Sequence, residues 1–154
     1  MAEPRWLDDR EFRAWLGYRR MRLLLDAQIA RDMQRDSGLS DADYDVLSAL
    51  SSRESRRWRL QELADRMTWS KSRLSRHIGR MEERGLVTRE GCDTDARGSV
   101  IVLSEGGWRA IQEAAPLHVA SVRTHLIDLL TPEQIESLGD IAETVLGRLS
   151  ASRD

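Results

Sequence analysis

The densest run of chemically useful side chains is Ser70-Lys71-Ser72-Arg73-Leu74-Ser75-Arg76, continued by Arg80. Leu74, Ile78 and Met81 share one face at helical spacing. Packing claims that face, which leaves Ser70, Lys71, Ser72, Arg73, Ser75, Arg76 and Arg80 on the other. Hydroxyls and guanidinium groups in this pattern suit phosphate and base edges: Arg can grip guanine O6 and N7 with two parallel bonds, and Ser can donate or accept. Ser70 is also a good helix N-cap, and the free amides of a first turn attract phosphate. The expected division of labour is Ser70 and Lys71 on phosphate, with Arg73, Arg76, Ser72 and Ser75 reading bases or fixing register. The plain alternative is an ordinary exposed amphipathic helix.

A second cation stands downstream, where Arg97 follows Asp93 and Asp95 in a turn-rich segment. An arginine at such a tip could enter a minor groove beside the first helix. The aspartates would repel phosphate unless they orient Arg97 or pair with an arginine of that helix; otherwise they are turn formers. Cys92, the single cysteine, lies beside Asp93, and a neighbouring carboxylate makes a thiol less reactive, which disfavours oxidant sensing. His118 and His125 are two helical turns apart with no further ligands at metal-binding spacing, so no metal site and no cofactor is expected. No phosphate loop, GxSxG, HExxH or Cys/His pair is present, so we expect no catalytic residues and no enzyme.

These residues need elements to hold them. Apolar residues recur at helical spacing from Trp6 to about Asp36, and Ser40 opens a second helix carrying Tyr44, Leu47 and Leu50 inward. After a polar, arginine-rich stretch from Ser51 to Arg59, Leu60, Leu63, Ala64 and Met67 mark a short amphipathic helix. Thr68-Trp69 interrupts it before the Ser70 helix, which Gly85 ends. Leu86–Arg89 and Ser99–Leu103 are β-branched runs around Gly91–Gly98, a hairpin signal. A helix from Trp108 to Leu129, with Pro116 as its expected bend, precedes one opened by Thr131-Pro132-Glu133-Gln134 and striped by Ile135, Leu138, Ile141, Val145 and Leu149. The fold class is mainly α: two short helices, a tight turn and a hairpin form a winged helix-turn-helix, flanked by longer helices.

Charge distribution agrees. The chain of 154 residues has a net charge of −2, but residues 53–89 hold 11 Arg/Lys against 5 Asp/Glu. Residues 1–52 hold 8 against 10, and residues 90–154 hold 5 against 11. A basic block between acidic flanks can put positive potential on one face. One cysteine, an acidic N-terminus and no apolar run of membrane length make the cytoplasm the expected compartment, with no membrane partner. A winged helix used only for protein contacts would not need Lys71, Arg73, Arg76 and Arg97 together.

Leu63-Ala64-Asp65-Arg66-Met67-Thr68-Trp69-Ser70-Lys71-Ser72-Arg73-Leu74-Ser75-Arg76, Met81-Glu82-Glu83-Arg84-Gly85-Leu86-Val87, the wing Asp95-Ala96-Arg97-Gly98 and Val102-Leu103-Ser104-Glu105-Gly106-Gly107 resemble the MarR (multiple antibiotic resistance regulator) family. Ser104 stands where threonine is commoner, and His77 where an aliphatic residue is usual. The resemblance implies a homodimer on a pseudo-palindromic stretch of double-stranded DNA, usually a repressor released by a small molecule or oxidant. It also implies dimerisation helices in residues 1–52 and 105–154 around a DNA-binding lobe at 53–104, all in one intertwined domain. Trp15 and Tyr18, on the first helix, are candidates to line the cleft where effectors of such proteins bind, though core or dimer packing is their plainer role.

Overall fold

A computed structural model of the chain describes residues 3–92 and 95–151, with side chains placed for all of these except 92 and 95–97. The elements are α1 (Asp9–Ser37), α2 (Asp41–Ser51), β1 (Arg57–Arg59), α3 (Leu60–Met67), α4 (Lys71–Glu83), β2 (Val87–Cys92), β3 (Asp95–Leu103), α5 (Glu105–His125), a 3-10 turn (Ile127–Leu129) and α6 (Pro132–Ala151). Helices dominate, and a small antiparallel sheet completes a winged helix-turn-helix. None of the described helices is long and apolar enough to cross a membrane.

Helix ends follow local chemistry. Asp8 and Glu11 exchange bonds with each other's backbone N–H at the start of α1, a reciprocal cap. Ser40 and Asp43 do the same for α2, and Thr131 and Gln134 for α6. Thr68 ends α3 in the left-handed region (φ 58°), and the Trp69 N–H returns to the Ala64 carbonyl at 3.0 Å. This tight corner lets α4 start two residues later, with Ser70 Oγ accepting from the Arg73 N–H.

Close contacts divide the chain into two units, Ala30–His118 and Met1–Ile29 with Val119–Asp154. In the first, α2 supplies Val46, Leu47 and Leu50 to a core shared with Leu63 of α3, Leu74, Ile78 and Met81 of α4, and Ile101 of β3, all almost fully buried. Helix α2 therefore packs with the winged segment, whereas the sequence placed it with the N-terminal helices: its apolar face closes the same core. The sheet order is β1-β3-β2, with Trp58 opposite Ile101 and Thr88 opposite Val102. Strand β1 falls in the polar, arginine-rich stretch between the helices, where the sequence offered no element. Its Trp58 side chain is buried and donates from Nε1 to the Ala49 carbonyl at 2.9 Å, with the Arg53 guanidinium 3.5 Å over the ring.

The hairpin strands run further than the turn-rich composition suggested, to Cys92 and from Asp95, with an irregularity between Glu90 and Cys92. Helix α5 begins against the end of α4. Ser104 Oγ donates to the Gly85 carbonyl at 2.6 Å and accepts from the Gly107 N–H. A Cβ on Gly106 would stand 2.6 Å from the Gly85 oxygen, so this approach of two backbones requires glycine.

The second unit holds most of α1, the end of α5, the 3-10 turn and α6. Its helices bury little apolar surface within one chain. Trp6, Phe12, Leu16, Leu23, Ile141 and Leu149 are all more than half exposed, and no residue of α6 is buried.

Candidate nucleic-acid interface

Helix α4 is amphipathic for a reason visible residue by residue. Leu74, Ile78 and Met81 are fully buried. Lys71, Ser72, Arg73, Arg76 and Arg80 are exposed along the opposite side. The first turn contains no acid, unlike that of α2 with Asp41 and Asp43, so no carboxylate of that turn offsets the positive end of the helix. This terminus, with Ser70 as its cap, has the electrostatics of an anion site.

The predicted residues differ in what holds them. The Arg73 guanidinium carbon stands over the Trp69 ring, 3.7 Å from its centroid, and the Arg73 backbone N–H is tied to Ser70 Oγ. Arg76 and Ser72 have no hydrogen-bond or ion-pair partner among the described residues. Ser75 sits lower on the helix and half-buried, where its Oγ and carbonyl accept from the two ends of the Arg89 guanidinium, each at 2.8 Å. Its hydroxyl is thus engaged within the protein, an arrangement that the sequence did not signal. Arg97 belongs to β3, and its side chain lies outside the described residues, as do those of Cys92 and Asp95; residues 93–94 are not described at all.

Beneath α4 is a polar cluster that sequence reasoning missed. Asp43, on α2, is buried, and its Oδ2 accepts from Arg84 at 2.7 Å and from the Ser40 N–H at 3.0 Å. Its Oδ1 faces Nε2 of buried His77 at 3.0 Å; neither atom has another partner among the described residues, and the contact is an ion-pair approach rather than a well-aligned hydrogen bond. Burial pushes the Asp43 carboxyl up, but His77, Arg84 and the Ser40 N–H outweigh it and hold the group well below the usual carboxylate range. On the other side of His77, Nδ1 lies 3.2 Å from Arg80, and Trp69 meets the ring edge-on. The available signal was His77 itself, a polar residue on the buried stripe of an amphipathic helix.

Arg57 and Glu90 pair across the sheet, and Arg56 stacks on Trp108 at 3.8 Å, so several cations of the basic segment brace the fold. The segment's charge therefore overstates the free positive potential. No cluster of His, Cys, Asp and Glu fit to hold a metal occurs among the described residues.

In the second unit, an apolar cavity of about 360 Å³ is lined by Met21, Leu24, Leu25, Gln28, His125, Leu126, Leu129 and Leu130. Trp15 and Tyr18 stack on each other with centroids 6.0 Å apart and are half-exposed. Neither lines this cavity, because both lie toward the N-terminal side of the α1 segment that does.

Comparison with known proteins agrees with this geometry. Residues 37–98 match the model of the MarR family. The structure is similar to that of AbsC, a MarR family transcriptional regulator from Streptomyces coelicolor, at 42% identity over 96% of this chain and 99% of that one, with a TM-score of 0.89. It is similar to Sco3205, a MarR family transcriptional regulator from the same organism solved in complex with DNA, at 39% identity over 95% of this chain and 91% of that one, with a TM-score of 0.88. With likeness of this extent across both units, the chain belongs to the MarR family of transcriptional regulators.

Proposed function

We propose that this protein is a cytoplasmic, sequence-specific DNA-binding repressor that sits on a pseudo-palindromic operator as a homodimer and is released by a small-molecule effector. The observation that carries the reading is α4: its first turn lacks acid while its exposed side presents Ser70, Lys71, Ser72, Arg73 and Arg76. Such a helix can enter a major groove, with its amides and Lys71 on phosphate and its arginines on bases or register. Ser75 would contribute by fixing α4 through Arg89 as well as through any contact of its own. Arg97 is assigned to the minor groove. Sco3205, related over nearly the whole chain, was solved with DNA, which supports the same partner here.

A second copy fits the exposed apolar faces. Contiguous apolar surface of this kind marks association, and it is concentrated in α1 and α6. Two copies would set two α4 helices about one DNA turn, roughly 10 base pairs, apart. The effector would be small and largely apolar, with a polar group for Gln28 and His125, since the cavity volume falls in the range of ligand pockets. Trp15 and Tyr18 remain candidates only for a site completed by the partner copy. No catalytic role belongs to this reading.

The test is fluorescence anisotropy with the gene's own upstream DNA and a scrambled duplex at several salt concentrations. Tight binding to the upstream DNA alone, with a steep salt slope reduced in Arg73→Ala and Arg97→Ala, is expected. Absence of binding to both duplexes would overturn the reading.

A further inference from the structure

His77 is buried in α4, yet both of its ring nitrogens face charged groups. Arg80 has only donors, so the 3.2 Å contact with Nδ1 requires that nitrogen to accept. In neutral His77 the ring hydrogen then sits on Nε2, facing Asp43 Oδ1 at 3.0 Å. Asp43 is in turn held through Oδ2 by Arg84 and the Ser40 N–H. A continuous line thus runs from the cap of α2 through a buried imidazole to Arg80. Arg80 is exposed and shares the stripe of Arg73 and Arg76 at i, i+3 and i+7, about 10 Å along the helix from Arg73.

We propose that His77 is a positioning residue: with its ring hydrogen on Nε2 and Nδ1 accepting, it aims Arg80 at a DNA phosphate. The proposal rests on the DNA-binding reading above. The charged groups facing His77 are Asp43 from α2, Arg80 from its own helix and, through Asp43, Arg84; the Trp69 indole, from the preceding turn, is uncharged.

Two measurements test the assignment. Heteronuclear NMR of the histidine rings in the free protein should show the ring hydrogen of His77 on Nε2; the Nδ1–H tautomer would overturn the relay even if the protein binds DNA. Anisotropy on the upstream duplex should show Arg80→Ala weakening binding on all sequences and lowering the salt slope by about 1. His77→Leu should do the same, and the double variant should do no more than either alone. His77→Gln, which can both donate and accept, should keep the affinity and the slope of the wild type. Arg80 is exposed, so its replacement reports even if a His77 variant folds poorly. Wild-type binding with additive His77 and Arg80 effects, or a His77→Gln variant as weak as His77→Leu, would overturn this inference alone. Failure of the wild type to bind either duplex at any pH would overturn the DNA reading and this one with it.

Discussion

Arg89 of β2 grips Ser75 of α4 twice, Nη1 donating to Oγ and Nη2 to the main-chain carbonyl, each at 2.8 Å. Its Nε lies 3.5 Å from Glu82, so one guanidinium spans two turns of the helix. The wing and α4 are therefore joined by a planar fork and not by apolar packing alone. Arg89→Ala should cost about 1–2 kcal/mol of stability, in the range for partly exposed hydrogen bonds involving a charge. It should also weaken operator binding, since the angle between wing and helix would no longer be fixed. Arg89→Lys should restore little, because a point charge cannot make both bonds. Thermal unfolding and anisotropy on the same variants check both statements; a Lys variant equal to wild type would show that charge alone matters.

Much of this architecture was legible. Ser40, Ser70 and Thr131 announced helix starts because N-capping is a contact of a few residues, and the apolar stripe of α4 was readable because 3.6-residue periodicity is local. Strand β1 was not, since three residues are too short for a period-2 pattern and Trp58 earns its burial from β3, more than forty residues away. The pairing of Asp43 with Arg84 and that of Ser75 with Arg89 are tertiary facts of the same kind. Charge counting also misleads locally: Arg53, Arg57, Arg84 and Arg89 pair with carboxylates and Arg56 stacks on Trp108, so fewer cations are left without a partner in the protein than the basic segment suggests.

Asp43 should make the winged unit acid-sensitive. Its folded-state carboxyl is held below the ordinary range, so the unfolded chain takes up the proton first as pH falls. The stability that it contributes is present above about pH 4, the ordinary aspartate value, and is lost as acid is added below it. Asp43→Asn should flatten that part of the profile. Asp43→Ala, which strips the α2 cap and leaves His77 and Arg84 facing no anion, should cost about 3 kcal/mol at pH 7. Urea unfolding at pH 7 and at successively lower pH reads both effects; an unchanged acid slope in Asp43→Asn would assign the sensitivity to other carboxylates.

Gly107 should tolerate no side chain. A Cβ there would overlap the Leu86 carbonyl oxygen and stand 2.7 Å from Leu103 Cδ1, and a backbone oxygen cannot swing away. Gly107→Ala should therefore cost at least about 3 kcal/mol, the upper end of overpacking. Gly79→Ala is the control, since nothing lies within 4 Å of its Cβ position and a helical Gly-to-Ala change contributes up to about 1 kcal/mol. Opposite shifts in the midpoint of thermal unfolding are expected for the two.

The exposed stripe of α6 makes the last prediction. Ile141 is 62% and Leu149 59% exposed in the single chain, although they recur at the spacing of a packed face. If a second copy covers that face, a carboxylate there must either lose its water or break the contact, and dissociation is the cheaper course. Ile141→Glu should shift the protein to monomer in sedimentation equilibrium while leaving the core of Ala30–His118 folded, because no α6 side chain contributes to it. Operator affinity should fall with it, since one winged unit neutralises about half the phosphates of two, and the slope of log affinity against log salt should roughly halve. A monomeric variant that keeps the full slope would mean that one copy makes every DNA contact, and the palindromic operator would have no structural basis.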